Sequence, residues 1–266
     1  SGCRPRARGG WRPGPRRADV RGLTGGSMRP WIVYGLLLAL KGLARLFYRV
    51  EMSWIGDPPA DRWEHLRLVA FLHHTSLYEP VFLGGAPNGF LRQVAFHGVL
   101  PAAEKTTARP IVGKLFRMIA AHVVPITRAR DHTWFEVLRK IDPESMVVLL
   151  PEGRMMRKNG LDSHGRPMTV RGGIADVLEA VGEGRMLVAY SGGLHHVQVP
   201  GERVPRVFRT VRMRLELVDV ASYVGGLLEG RPAEDLRQAV CEDLERRRWL
   251  HCPLDGPKPW PAPPAG

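Results

Sequence analysis

Short runs of apolar, β-type residues recur along this chain with amphipathic stretches between them, and that alternation restricts the available folds more than any single motif. The runs cover residues 66–72, 92–96, 122–128, 146–151, 186–191 and 211–220. Between several of them apolar residues fall at helical spacing: Ile111, Leu115, Met118 and Ile119; Trp134, Val137, Leu138 and Ile141; then Ile174, Val177, Leu178 and Val181 behind Gly172 and Gly173. Strands alternating with helices predict an α/β fold with a mostly parallel central sheet flanked by helices. The first run, "LRLVAFL", is almost continuously apolar, as a strand buried on both faces requires. The last sets Val211, Met213, Leu215 and Leu217 against Arg212, Arg214 and Glu216, so it is expected near an edge with one face in water.

The two ends of the chain read differently from its middle. Residues 1–27 carry seven arginines and one acid among many Gly and Pro, so they supply +6 of the +13 net charge and leave +7 to the rest. Such a segment cannot bury enough apolar surface to order itself and is expected to be a disordered basic extension, with Met28 as the expected native start. A nucleic-acid-binding arm is the competing reading of those arginines; no aromatic-interleaved domain accompanies them, so no nucleic-acid partner is expected. Residues 28–49 form an amphipathic helix with Lys41, Arg45 and Arg49 interrupting its apolar run and with Trp31, Tyr34 and Tyr48 as interfacial aromatics. That composition suits a helix lying in a membrane surface, the alternative being a helix packed on the core. Residues 50–250, 44% hydrophobicity being typical of the whole chain, are expected to form the main domain, ending in a charge-dense helix over 233–248 with Leu236, Val240 and Leu244 inward. Residues 251–266 are a Pro-rich tail unable to form regular structure. Cys3, Cys241 and Cys252 give neither a disulfide framework nor metal-ligand spacing, which suits a reducing, cytosol-facing compartment.

Chemistry-bearing residues cluster just after predicted strands. His74 and Glu79 follow the first run; Arg128 closes "HVVPITR"; "PEGR", Pro151 to Arg154, follows "VVLL". In a parallel sheet the carboxyl ends of successive strands share one edge, where ligands bind, so these groups are expected to converge. A histidine beside a carboxylate can take a proton from an attacking hydroxyl, because the carboxylate fixes the imidazole tautomer and steadies the cation that forms. Glu79 could equally be a cap for a helix beginning at Pro80, a favoured place for proline. Arg128 and Arg154 offer guanidinium groups that can grip a phosphate, and Gly153 permits a tight turn beside Glu152.

Taken together, "HHTSLYEP", "HVVPITR", "LPEGR" and "LVAYS", in that order across roughly residues 28–220, resemble the glycerolipid acyltransferase superfamily typified by 1-acyl-glycerol-3-phosphate acyltransferases. Family members carry N-H-x4-D, then a strand-closing arginine, then F-P-E-G-T-R. Here Glu79 replaces the aspartate, His73 the asparagine, and "PEGR" lacks the threonine. The resemblance implies transfer of an acyl group from acyl-CoA or acyl carrier protein, as co-substrate and without cofactor or metal, to a hydroxyl of a lysophospholipid or glycerol-phosphate-like acceptor in phospholipid synthesis. It implies His74 as general base with Glu79 as its partner, and Arg128, Glu152, Gly153 and Arg154 around the acceptor's phosphate. The amphipathic helix and the cysteine usage together lead us to expect a peripheral or monotopic protein on the cytoplasmic face of the cell membrane. Rival readings are an acyltransferase for a different or non-phosphorylated acceptor, a metal-dependent hydrolase using His73, His74 and Glu79, and a non-catalytic membrane-surface binding protein of the same fold.

Overall fold

The computed structural model describes residues 28–103, 122–126, 132–202 and 204–262. The chain opens with α1 (Met28–Phe47) and runs straight into β1 (Tyr48–Trp54). Then come β2 (Leu66–Leu72), a 3₁₀ turn (Glu79–Gly84), α2 (Asn88–His97), β3 (Gly98–Ala103) and β4 (His122–Ile126). After these follow α3 (His132–Arg139), β5 (Met146–Leu149), α4 (Gly173–Val181), β6 (Arg185–Ser191), β7 (Arg209–Asp219), α5 (Val220–Leu227), a 3₁₀ turn (Ala233–Asp235) and α6 (Leu236–His251). The described strands form one sheet in the order β1-β7-β6-β2-β5-β3-β4, in which only the β6–β7 pairing is antiparallel. The expected α/β fold, a mostly parallel central sheet flanked by helices, is the fold observed.

β2 lies in the middle of the sheet, which explains its continuous apolar run. Leu68, Ala70 and Leu72 face the core under α3, α4, α5 and α6, whereas Val69 and Phe71 face the core under α1 and α2. Leu66 belongs with the second set although it is two residues from Leu68, because a bulge shifts the β2–β6 register between them. β7 keeps the expected alternation, with Val211, Met213 and Leu215 buried and Arg212 and Arg214 exposed. It is second from the edge, the outermost place being taken by β1.

Three local expectations are corrected. Residues 92–96, read as a strand, belong to α2: Phe90, Leu91 and Ala95 bury one helical face, and Phe96 meets Trp31 of α1 edge-on at 5.0 Å. β1 and β3 were not foreseen, nor was α5. The last helix begins with a 3₁₀ turn and α6 continues to His251. The stripe from Ile111 to Ile119 lies outside the described residues.

Candidate active site

β2 and β6 are parallel, so both deliver their carboxyl ends to one sheet edge. His73 and His74 follow β2 there. Regular alternation would continue His73 onto the Val69 and Phe71 face and His74 onto the Leu72 face. Instead His73 adopts φ +66°, a left-handed backbone, and the faces exchange. His73 packs edge-on against Trp260 (4.8 Å) on the α6 side, and His74 joins Val69 and Phe71 in lining a cavity on the α1 side.

Glu79, the first residue of its 3₁₀ turn, folds back over the intervening loop. Its Oε1 accepts the backbone N–H groups of Thr75 (2.9 Å) and Ser76 (2.8 Å) and lies 3.1 Å from His74 Nδ1. The helix-cap reading of Glu79 is corrected: Tyr78 is the N-cap of this turn and no side chain caps it, while the Glu79 oxygen organises the preceding loop and lies beside the imidazole. A proton on Nδ1, the nitrogen beside that carboxylate, leaves Nε2 as the basic nitrogen. Ser76 donates its hydroxyl to Gln198 Oε1 (2.8 Å), and Thr75 Oγ1 accepts from Leu194 N–H (2.8 Å), so both tie the loop to the segment after β6.

A cavity of about 290 Å³ runs from this point under the sheet. His74, Glu79, Leu77 and Gly153 stand among its lining, and the remainder is apolar, with Phe71, Phe82, Phe90, Trp63, Leu37 and Met213 among the larger side chains. It is a greasy cavity with an imidazole and a carboxylate side by side on its wall.

The "PEGR" turn approaches the same loop from β5. Gly153 takes φ +66° and closes the turn through its N–H to Leu150 C=O (2.9 Å). Glu152 departs from the expected place beside a bound phosphate. Its side chain is 0% exposed, and its oxygens accept the N–H of His73 (3.2 Å), the N–H of His74 (2.8 Å) and Nη1 of Arg248 (2.6 Å). It is spoken for inside the protein, as the anion that holds the two-histidine backbone. Arg154 pairs with buried Asp162, whose carboxyl is held below the usual range by the Arg166 N–H, the Arg154 guanidinium and the His164 N–H. Arg128 lies outside the described residues.

Several participants were not foreseen. Arg248 of α6 bridges Glu152 to Met168 C=O (3.2 Å) and spreads its guanidinium over Trp260 at 4.9 Å. Residues 252–262 of the Pro-rich tail carry no regular structure, yet they are docked: a Cβ on Gly160 would sit 1.8 Å from Pro259 O. Trp260 is buried between Arg248 and His73. His73 Nδ1 lies 2.9 Å from Ser191 C=O and is thus the protonated nitrogen; burial holds this imidazole below its ordinary pKa, and so too His195, whose Nε2 is 2.8 Å from Met156 C=O. His73 and His74 serve different partners rather than a shared ligand. Among the described residues no group of three His, Cys, Asp or Glu is placed to hold a metal ion.

No protein-family model matches this chain, and no curated protein matches it. Among solved structures it is similar to the 1-acyl-sn-glycerophosphate (LPA) acyltransferase from Thermotoga maritima, with 17% identity over 82% of this chain and 81% of that one, at a TM-score of 0.49.

Proposed function

We propose that this protein is an acyltransferase that moves a fatty acyl group from a thioester donor, acyl-CoA or acyl carrier protein, to a hydroxyl of a lysophospholipid or glycerol-phosphate-like acceptor. The observation that carries this reading is the His74–Glu79 pair, 3.1 Å apart, on the wall of an otherwise apolar cavity. An alkyl chain fits such a lining, and its reactive end would then lie beside the imidazole. His74 Nε2 removes the proton of the acceptor hydroxyl as the oxygen attacks the thioester carbonyl. The C–O bond forms, the tetrahedral intermediate collapses, the C–S bond breaks, and the proton on His74 passes to the departing thiolate. Glu79 steadies the imidazolium between those two transfers and needs no covalent role.

α1 supports a place at a membrane surface. By length and composition alone it could cross a bilayer. Its inner side is nevertheless fastened to the domain, through Lys41 Nζ to Asn88 Oδ1 (2.6 Å) and Arg45 Nε to Gly84 C=O (2.7 Å), while Trp31, Ile32, Leu43 and Leu46 face outward. A helix held along the domain with its apolar side free suits a peripheral or monotopic position, proposed here on the cytoplasmic face of the cell membrane. The engagement of Arg154 with Asp162 favours a second reading of the acceptor, one whose headgroup does not depend on Arg154.

The test is thiol release from a long-chain acyl-CoA with and without lysophosphatidate, lysophosphatidylglycerol or a neutral monoacylglycerol. Acceptor-dependent release is expected. It should disappear in His74→Ala and survive in part in Glu79→Asp but not Glu79→Ala. Near-normal turnover by His74→Ala would overturn the assignment.

A further inference from the structure

We propose a second lipid-contact point at the other end of α1: the tip formed by Val204, Val207 and Phe208, which docks the His74 edge of the sheet onto an anionic bilayer. The inference rests on the interfacial acyltransferase reading and extends it to residues that reading does not use.

Phe208 is 77% exposed and Val204 76% exposed, and Val207 is exposed beside them. Phe208 also holds φ +58°, a left-handed conformation that a bulky side chain rarely adopts. The fold thus spends backbone strain on presenting an aromatic ring to solvent, where no interior packing repays it. Its ring neighbour is Phe47, the last residue of α1, at 6.1 Å, and its N–H donates to Phe47 C=O at 2.6 Å. The tip is therefore continuous with the outward side of α1, where Leu43 and Leu46 are exposed.

Its position follows from the topology. β7 is antiparallel to β6, so the start of β7 lies at the carboxyl end of β6, the same edge that carries His74. The connecting segment is also braced to the catalytic loop. Gln198 receives the Ser76 hydroxyl and donates to Glu202 C=O (2.9 Å), Leu194 N–H reaches Thr75, and Arg206 N–H donates to Val197 C=O (2.7 Å). A surface that seats the tip also seats the loop.

The charges choose the occupant. Arg49, Arg206 and Arg209 are exposed around the tip, against Glu51 and Glu202, which pair with Arg49 and Arg206. An apolar point rimmed by an excess of guanidinium groups complements anionic headgroups over acyl chains. A second copy of the chain across a two-fold axis would bring this rim against itself, like charge on like charge.

The experiment is flotation of the full chain with vesicles of phosphatidylcholine alone or mixed with phosphatidylglycerol. Three proteins are compared: the parent, Val204→Ser/Phe208→Asn, in which Asn tolerates the left-handed backbone, and Phe135→Ser, an exposed apolar change elsewhere. Binding of the parent to anionic vesicles is expected, with affinity falling roughly tenfold in the tip variant and unchanged in Phe135→Ser. The tip variant should keep the parent's melting temperature and its turnover of a short-chain, water-soluble acceptor. Undiminished vesicle binding by the tip variant overturns the inference and leaves the interfacial reading intact. Equal losses in both variants, or a halved solution mass in the tip variant, overturn it also. Failure of the parent to bind any vesicle removes the interfacial reading together with the inference.

Discussion

Replacing Arg248 by methionine removes a buried cation from a buried anion while roughly preserving shape. In the parent the Arg248 and Glu152 side chains are 3% and 0% exposed and their charged atoms lie 2.6 Å apart. Glu152 would keep two backbone N–H donors, from His73 and His74, and lose its counter-ion. Breaking one side of such a pair costs about 3–5 kcal/mol, since the remaining charge is uncompensated. For a domain of this size that is a drop of about 6–20 °C in melting temperature. It is a large fraction of the roughly 5–15 kcal/mol that a whole domain typically holds. The pair can be separated from the chemistry by Glu152→Gln/Arg248→Met, in which no ion is stranded. That double variant should recover much of the lost stability, because a neutral amide oxygen still accepts one backbone N–H. It should not recover kcat, since the second N–H loses its acceptor and the His73–His74 backbone is no longer held from below. KM for the acyl donor should change little, as neither residue lines the cavity. Urea unfolding and steady-state kinetics on the three proteins measure this. If Arg248→Met unfolds within about 0.5 kcal/mol of the parent, the scale of ordinary surface substitutions, the claim that this ion pair holds the loop is refuted.

Burial holds His73, His195 and His251 below the ordinary histidine value of 6.5, so the unfolded chain binds these protons at a higher pH than the native chain does. Stability should therefore be flat above that value and decline as pH falls through it toward the lower folded values, before the carboxylates begin to protonate. His73→Asn should match the parent at pH 7.5, because asparagine accepts the left-handed backbone and can donate to Ser191 C=O, and should show a shallower decline to pH 5 in urea midpoints; an unchanged slope would exclude His73 as a contributor. In the cavity, Ala86→Phe should shift acyl-donor preference toward shorter chains in a competition assay, since Ala86 lines it near Trp63 and Phe90; an unaltered preference would show that the chain lies elsewhere.

How much of this was legible in the sequence depended on what buried each residue. β2, β5 and β6 declared themselves because both faces are covered, which forces continuous apolar runs. "RQVAF" misled because five residues carry too little period to separate a strand from one buried turn of α2. β1 has a period of two, Val50 and Met52 against Arg49 and Glu51, but it begins without a break at the end of α1 and so reads as helix. His74, Glu79 and Gly153 were visible as a motif; the five-residue spacing brings Glu79 to His74, and the parallel pairing of β2 with β5 brings Gly153 to the same edge. Glu152 was visible as a residue, but its role was not, because its partner comes from a segment 96 positions away. Arg248 did leave a trace: it continues the four-residue stripe of Leu236, Val240 and Leu244, an inward position at which an arginine requires a buried anion. Trp260 left less, a single large aromatic in a proline-rich tail.

The outermost strand carries a consequence for the order of assembly. β1 belongs to the first part of the domain to be synthesised, yet its ladder runs to β7, with Glu51 opposite Arg212 across 161 positions of sequence. β7 can pair with β6 as soon as it is made, since residues 192–208 alone separate them, whereas residues 55–208 separate β7 from β1. β1 must wait for that pairing, so the N-terminal strand joins the sheet last. Until then its backbone is an open edge following a helix with an apolar outer side, the combination most exposed to mispairing during synthesis. A chain halted between residues 192 and 208 would keep β2, β5 and β6, with the His74 loop at their edge, and would leave its own beginning without a place.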